Sequence, residues 1–237
     1  LEKQESKSRV ENYYNLKYYG RPRKFKVERK RLPPFIYYSK CLDILDVQSG
    51  RRILDIACGF GGLLLQAENR GLECYGIDIS QVAISKAEKR TKAQLVCKSV
   101  EDGLPYDDAF FDYITCLGSL EHFHKQPFVI QEISRISKEE CKICILVPND
   151  NYILHKFGYE TDFQPVVNRH SLEGYQTLLE SNGLTIRKVL KENAHLMNLR
   201  RSSSYFKHFV KLIVYPFVRF LPLNWSYNFI FLCGKRI

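Results

Sequence analysis

Four short stretches hold residues whose types and spacing could do chemistry. In Arg52-Ile53-Leu54-Asp55-Ile56-Ala57-Cys58-Gly59-Phe60-Gly61-Gly62 an apolar run meets an acid, then a turn of small residues, then the helical pattern Leu63-Leu64-Leu65-Gln66-Ala67. Glycine permits a sharp turn and a close approach of ligand to backbone. The turn delivers a helix N-terminus, whose free N–H groups favour electron-rich ligand groups. Strand, glycine turn and helix together read as a nucleotide-type site in a doubly wound α/β fold. In Cys74-Tyr75-Gly76-Ile77-Asp78-Ile79-Ser80 a second acid closes the next strand. Asp78 falls about twenty residues past the turn, where a carboxylate can accept from both hydroxyls of a ribose. Ser99 to Asp112 forms a polar loop leading into a fourth strand, and Leu117-Gly118-Ser119-Leu120-Glu121-His122-Phe123 follows that strand.

The glycine pattern narrows the choice of nucleotide. Gly59 and Gly61 fit G-x-G-x-x-G, but Leu64 stands at the third position, which argues against a nicotinamide dinucleotide. No G-x-x-x-x-G-K-[ST] occurs, so a phosphate-cradling P-loop is excluded as well.

On these residues the chain resembles the class I S-adenosylmethionine-dependent methyltransferases, and within them the small-molecule group that includes the ubiquinone-biosynthesis type. The family's first motif, D-x-[GA]-C-G-x-G, is matched by Asp55, Ala57, Cys58, Gly59 and Gly61, and its second acidic position by Asp78. The stretch from Ser99 is similar to its adenine loop, and the stretch from Leu117 to the segment after its fourth strand. The likeness covers about residues 40–190 and resumes at the final strand. It implies a Rossmann-like seven-stranded α/β sheet, mostly parallel, with an antiparallel last strand. It also implies S-adenosyl-L-methionine as cofactor and S-adenosyl-L-homocysteine as product. The expected contacts are Asp55, Ala57, Cys58, Gly59, Gly61, Asp78, Ile79, Ser99, Val100, Glu101 and Leu117. One departure stands out: many members carry Asp at the start of the adenine loop, where this chain has Ser99. Either the backbone around Val100 or the Glu101 carboxylate substitutes, or Glu101 and Asp102 are solvated loop charges.

Hydrophobic periodicity supplies the elements that must position these residues. Helices are expected over Tyr37–Val47, Gly62–Asn69, Ser80–Arg90, Pro127–Ser137 and Ser171–Ser181, with Ser80 and Ser171 as N-caps and Gly183 after the last. Strands are expected over Ile53–Ala57, Leu72–Ile77, Ala93–Cys97, Phe111–Leu117, Lys142–Val147, Leu184–Leu190 and Tyr227–Cys233. Their alternation implies a mostly parallel sheet.

The chain has 237 residues, enough for one α/β domain with additions. Most of its eight cysteines fall inside predicted strands, where a free thiol packs as a small hydrophobe. Cys141-Lys142-Ile143-Cys144 has no second C-x-x-C to complete a zinc site, and no metal is expected. The charged start lacks the apolar run of a signal peptide, so a reducing cytoplasm is the expected setting. It opens on Leu1 rather than Met, as a trimmed chain would.

Charge is uneven: +7 over residues 1–35, −6 over 36–186 and +9 over 187–237. Basic flanks on an acidic core suit phosphates of nucleic acid, lipid or metabolite, or are simply solvated. Residues 1–36 are rich in tyrosine (Tyr13, Tyr14, Tyr18, Tyr19) and form either a lid over the cofactor or a helix packed on the core. The domain proper is expected over 37–237. Its segment 192–224, inserted before the last strand, is apolar and basic at 205–220. That stretch is too short and too charged to span a bilayer. It could cover the pocket, make a homodimer or lie peripherally on a membrane.

The chemistry follows from the cofactor. A sulfonium methyl is already electrophilic, so the enzyme's main task is to align a nucleophile, worth effective molarities of about 10⁵–10⁸ M. Where the acceptor is a hydroxyl or protonated amine, a base near neutral pKa helps. His122, at the C-terminal edge of the sheet, is the candidate base, or a loop hydrogen-bonder; His170 is a second candidate for the same face. Glu121 could instead hold cofactor or substrate. The expected acceptor is a small or lipid-like molecule, methylated at O or N. A nucleic-acid methyltransferase using the basic flanks is the alternative, but the Asn/Asp-Pro-Pro-Tyr/Phe motif is missing after strand four. A non-catalytic cofactor-binding regulator is another.

Overall fold

The computed structural model describes residues 8–20, 34–152, 165–192 and 222–236. Seven strands form one sheet: β1 (Arg52–Ile56), β2 (Glu73–Asp78), β3 (Gln94–Cys97), β4 (Phe111–Leu117), β5 (Ser137–Pro148), β6 (Leu184–Glu192) and β7 (Asn228–Lys235). Their order is β3-β2-β1-β4-β5-β7-β6. All pairings up to β5 are parallel, and β7 runs antiparallel to both neighbours. The order reverses between β1 and β4, the position at which open α/β sheets bind ligands.

Among the described residues, five helices cover the sheet: α1 (Pro34–Leu45), α2 (Gly62–Glu68), α3 (Gln81–Ala87), α4 (Gln126–Ile136) and α5 (Leu172–Glu180). Two apolar layers result. Cys41, Leu42, Leu63, Leu64 and Ile84 of α1–α3 pack on one face with Ile53 and Cys144. Val129, Ile130, Ile133, Tyr175 and Leu179 of α4 and α5 pack on the other with Leu54, Ile114 and Phe231. Ser80 and Ser171 cap as expected, accepting from Ala83 N and Gly174 N.

Several boundaries differ from the sequence reading by a few residues, and two of the shifts have a plain cause. β5 starts at Ser137 rather than Lys142, because Ser137 pairs with Phe111 across a register shift. The charged run Lys138-Glu139-Glu140 hides this extension, since it lies on the solvated part of the strand. α3 stops at Ala87 rather than Arg90, because Arg90 N and Thr91 N both turn back to Ala87 O. Of the N-terminal segment, residues 8–12 are α-helical and Tyr13–Tyr18 π-helical. The expected apolar stretch 205–220 lies outside the described residues. Among those described, no helix is long and apolar enough to cross a membrane.

Candidate active site

The turn after β1 concentrates left-handed backbone: Ala57, Gly59 and Gly61 have φ of 56, 52 and 68°. For Ala57 this conformation is strained, and only a short side chain is tolerated there. Cys58 N donates to Ile77 O at 3.1 Å, tying the turn to β2. The Cys58 thiol is buried and its pKa is pushed up by burial, then by Asp55 and Asp78. Gly61 packs against the end of α3. A Cβ there would sit 2.9 Å from Thr91 and 3.2 Å from Ala87, so this glycine lets α2 start against α3.

Asp55 lies beneath the turn. It pairs in register with Thr115 of β4, whose hydroxyl donates to Asp55 Oδ1 at 2.6 Å. Burial raises the carboxyl to about 7, the Thr115 bond opposing and Asp78 adding to the rise. Asp78 closes β2. Its Oδ1 accepts from Ser80 N and its Oδ2 from Gly59 N, both at 2.9 Å. Desolvation raises its pKa, and these two bonds pull it back.

A cleft open to solvent runs along this edge. Six expected residues line it: Ala57, Asp78, Ile79, Ser99, Val100 and Glu101. His122 lines it as well. Asp55, Cys58, Gly59, Gly61 and Leu117 are not among the lining residues, although Gly59 N bonds Asp78 at its edge, and Gly118 and Ser119 line the wall beyond Leu117. Lys98 and Phe123, with Val10, Tyr14, Tyr18 and Tyr19 of the N-terminal segment, complete it. Lys98 carried no motif by which the sequence could mark it, and Phe123 closed the stretch after β4 without a role of its own.

Local bonds fix the polar groups. Ser99 Oγ accepts from Glu101 N at 3.3 Å and caps the short 3₁₀ turn Val100–Asp102. Glu101 Oε1 accepts from Lys125 N at 2.6 Å, and Lys125 Nζ donates to Glu101 O at 3.1 Å. The Glu101 carboxylate thus ties the adenine-type loop to the start of α4.

His122 sits in the 3₁₀ turn Leu120–His122, 9% exposed. Its Nδ1 lies 2.6 Å from Val166 O. A carbonyl can only accept, so Nδ1 carries hydrogen, and in the neutral ring Nε2 keeps its lone pair. Nε2 stands 3.7 Å from Glu121 Oε1. His170 is placed differently. Its Nε2 donates to Gln126 Oε1 at 2.8 Å while Gln126 Nε2 is spent on Leu120 O and Asn168 O. It does not line the cleft. Cys141 and Cys144 are both buried in β5. Among the described residues no group of three or more His, Cys, Asp or Glu could hold a metal ion.

Residues 54–145 match a family model described as a methyltransferase domain. Over this stretch the chain is similar to a methyltransferase domain, and the strand order is that of the solved methyltransferase folds it superposes on. Two curated methyltransferases illustrate the likeness. The ubiquinone biosynthesis O-methyltransferase of Alkalilimnicola ehrlichii is 36% identical over 108 residues, 43% of this chain and 42% of that one. The ajmaline N-methyltransferase of Rauvolfia serpentina is 30% identical over 145 residues, 52% of this chain and 50% of that one. The chain thus spans about half the length of these relatives. Among solved structures, phosphoethanolamine N-methyltransferase 2 of Haemonchus contortus, in complex with S-adenosyl-L-methionine, superposes with a TM-score of 0.69 at 17% identity. That match covers 96% of this chain and 60% of the other, and it speaks for the fold. S-adenosyl-L-methionine is the cofactor of a methyltransferase domain of this class. The residues present fit it: a carboxylate at the strand tip, a backbone turn without bulk, and the apolar Ile79 and Val100 beside it.

Proposed function

We propose that this chain transfers the methyl group of S-adenosyl-L-methionine to oxygen or nitrogen of a small-molecule or lipid-like acceptor. The observation that carries the reading is the sharing of one cleft by Asp78 and His122, across the switch point of the sheet. Asp78 would hold the ribose, with Ile79 and Val100 flanking the adenine, and Ala57 and Gly59 presenting backbone to the methionine part. The bound cofactor supplies an electrophilic methyl on a sulfonium. The acceptor atom bonds to that carbon as the S–C bond breaks, and S-adenosyl-L-homocysteine leaves.

His122 is proposed as the base that takes the acceptor's proton on Nε2. Its hydrogen bond to Val166 O supports this role, because it holds the proton on Nδ1 and leaves the other nitrogen basic. The two curated relatives methylate one at O and one at N by their names, which keeps both acceptor atoms in view. The test is mass spectrometry of cell extract incubated with the enzyme and isotope-labelled cofactor. A labelled small molecule is the expected result; label found only in nucleic acid, or in nothing, would remove the proposal.

A further inference from the structure

Segment 8–20 is fastened to the wall of the cleft that carries Asp78. Asn15 Oδ1 accepts from Ser80 Oγ at 2.6 Å and from Val82 N at 3.3 Å, entering the first turn of α3. Lys86 Nζ, from the same helix, donates to Tyr19 O at 2.9 Å. The Tyr19 ring packs on Phe60 with centroids 5.0 Å apart. A π-helical turn, closed by Tyr19 N on Tyr14 O at 2.9 Å, sets the register that brings Tyr19 there. Gly20 then leaves the turn where a Cβ would meet Asn15 O at 2.3 Å.

The tip of Tyr19 reaches into the cleft wall. Its hydroxyl donates to Asp78 Oδ2 at 3.5 Å. It also lies 3.2 Å from where a Cβ of Gly59 would be, filling the room which that glycine leaves. A carboxylate offers about four lone-pair sites. Gly59 N and Ser80 N take two, and a ribose gripped through both hydroxyls needs the other two. The tyrosine hydroxyl is a fifth claimant. We infer that Tyr19 competes with a ribose hydroxyl for Asp78, so that cofactor entry releases the tyrosine and loosens its end of the strap. This rests on Asp78 being the ribose carboxylate of the proposed function.

The experiment compares calorimetric binding of S-adenosylhomocysteine to the full chain, Tyr19→Phe and Asn15→Ala, with amide hydrogen exchange of residues 13–19 in the wild type. Removing the rival hydroxyl is expected to tighten binding by about threefold to tenfold, the scale of one modest hydrogen bond. Asn15→Ala, which frees the strap without touching Asp78, is expected to tighten it in the same direction. Exchange at 13–19 is expected to speed up on ligand addition. Equal or weaker binding by Tyr19→Phe, or exchange that slows, would overturn the strap while leaving the cofactor site standing. Failure of the wild type itself to bind would overturn both.

Discussion

Asp78 is the residue on which cofactor affinity should turn. Charge-assisted hydrogen bonds contribute about 1.5–3 kcal/mol each, so Asp78→Ala is expected to weaken S-adenosylhomocysteine binding by about 10- to 100-fold by calorimetry. His122→Ala should leave that affinity within about twofold and slow methyl transfer by about 10²-fold or more, the usual weight of a general base. Unchanged turnover once the acceptor is known would take His122 out of the mechanism. Asp55 makes a pH prediction. Its folded-state pKa, about 7, lies above the ordinary 3.8, so the folded state binds the extra proton between those values. Stability from this group is therefore full at low pH and is lost as pH rises toward 7. Asp55→Asn keeps an acceptor for Thr115 and removes the titration. Its melting temperature relative to wild type should rise between pH 5 and pH 8; a constant difference would mean that Asp55 does not titrate there.

At the scale of elements, the glycine turn and the strand tips were readable because their constraints are local. A left-handed turn needs small residues within five positions, and the acid follows at the end of the next strand. The loops that complete the site were not readable. Glu101 reaches Lys125 and His122 reaches Val166, partners 24 and 44 residues away. No period or spacing encodes such a pairing. Asn149, at the end of β5, shows how much can depend on one of them. Its Nδ2 donates to Asn224 O at 2.7 Å and Ser226 O at 2.8 Å, and its Oδ1 accepts from Asn151 N at 2.9 Å. It joins the root of β7 to the loop after β5 and is fully buried. Asn149→Ala should cost about 1–3 kcal/mol in denaturant unfolding, because buried backbone groups lose their partners; a loss under about 0.5 kcal/mol would show that they find others.

Across the whole molecule, two packed layers and a reversal of strand order bring four distant stretches to one edge. The basic flanks sit outside this logic. Residues 1–35 and 187–237 carry +7 and +9, but their charge belongs to segments that are in large part outside the described residues. The prediction at this scale is that the chain does not bind DNA or RNA at nanomolar concentration in physiological salt. A nanomolar affinity that falls steeply with salt, as phosphate contacts require, would reverse it.

The sequence by itself determined the doubly wound sheet, the turn between β1 and α2, and the carboxylate at the tip of β2. Apolar period, backbone permissiveness and short-range spacing are properties of neighbouring residues. Only the tertiary structure decided which of those residues face the cleft. It left Asp55, Cys58 and Gly61 out of the lining, brought Lys98 and Phe123 into it, and laid Tyr19 across Asp78 from 59 residues away. Such choices depend on where chain segments remote in sequence come to rest against one another, and packing settles that after the local pattern has been spent.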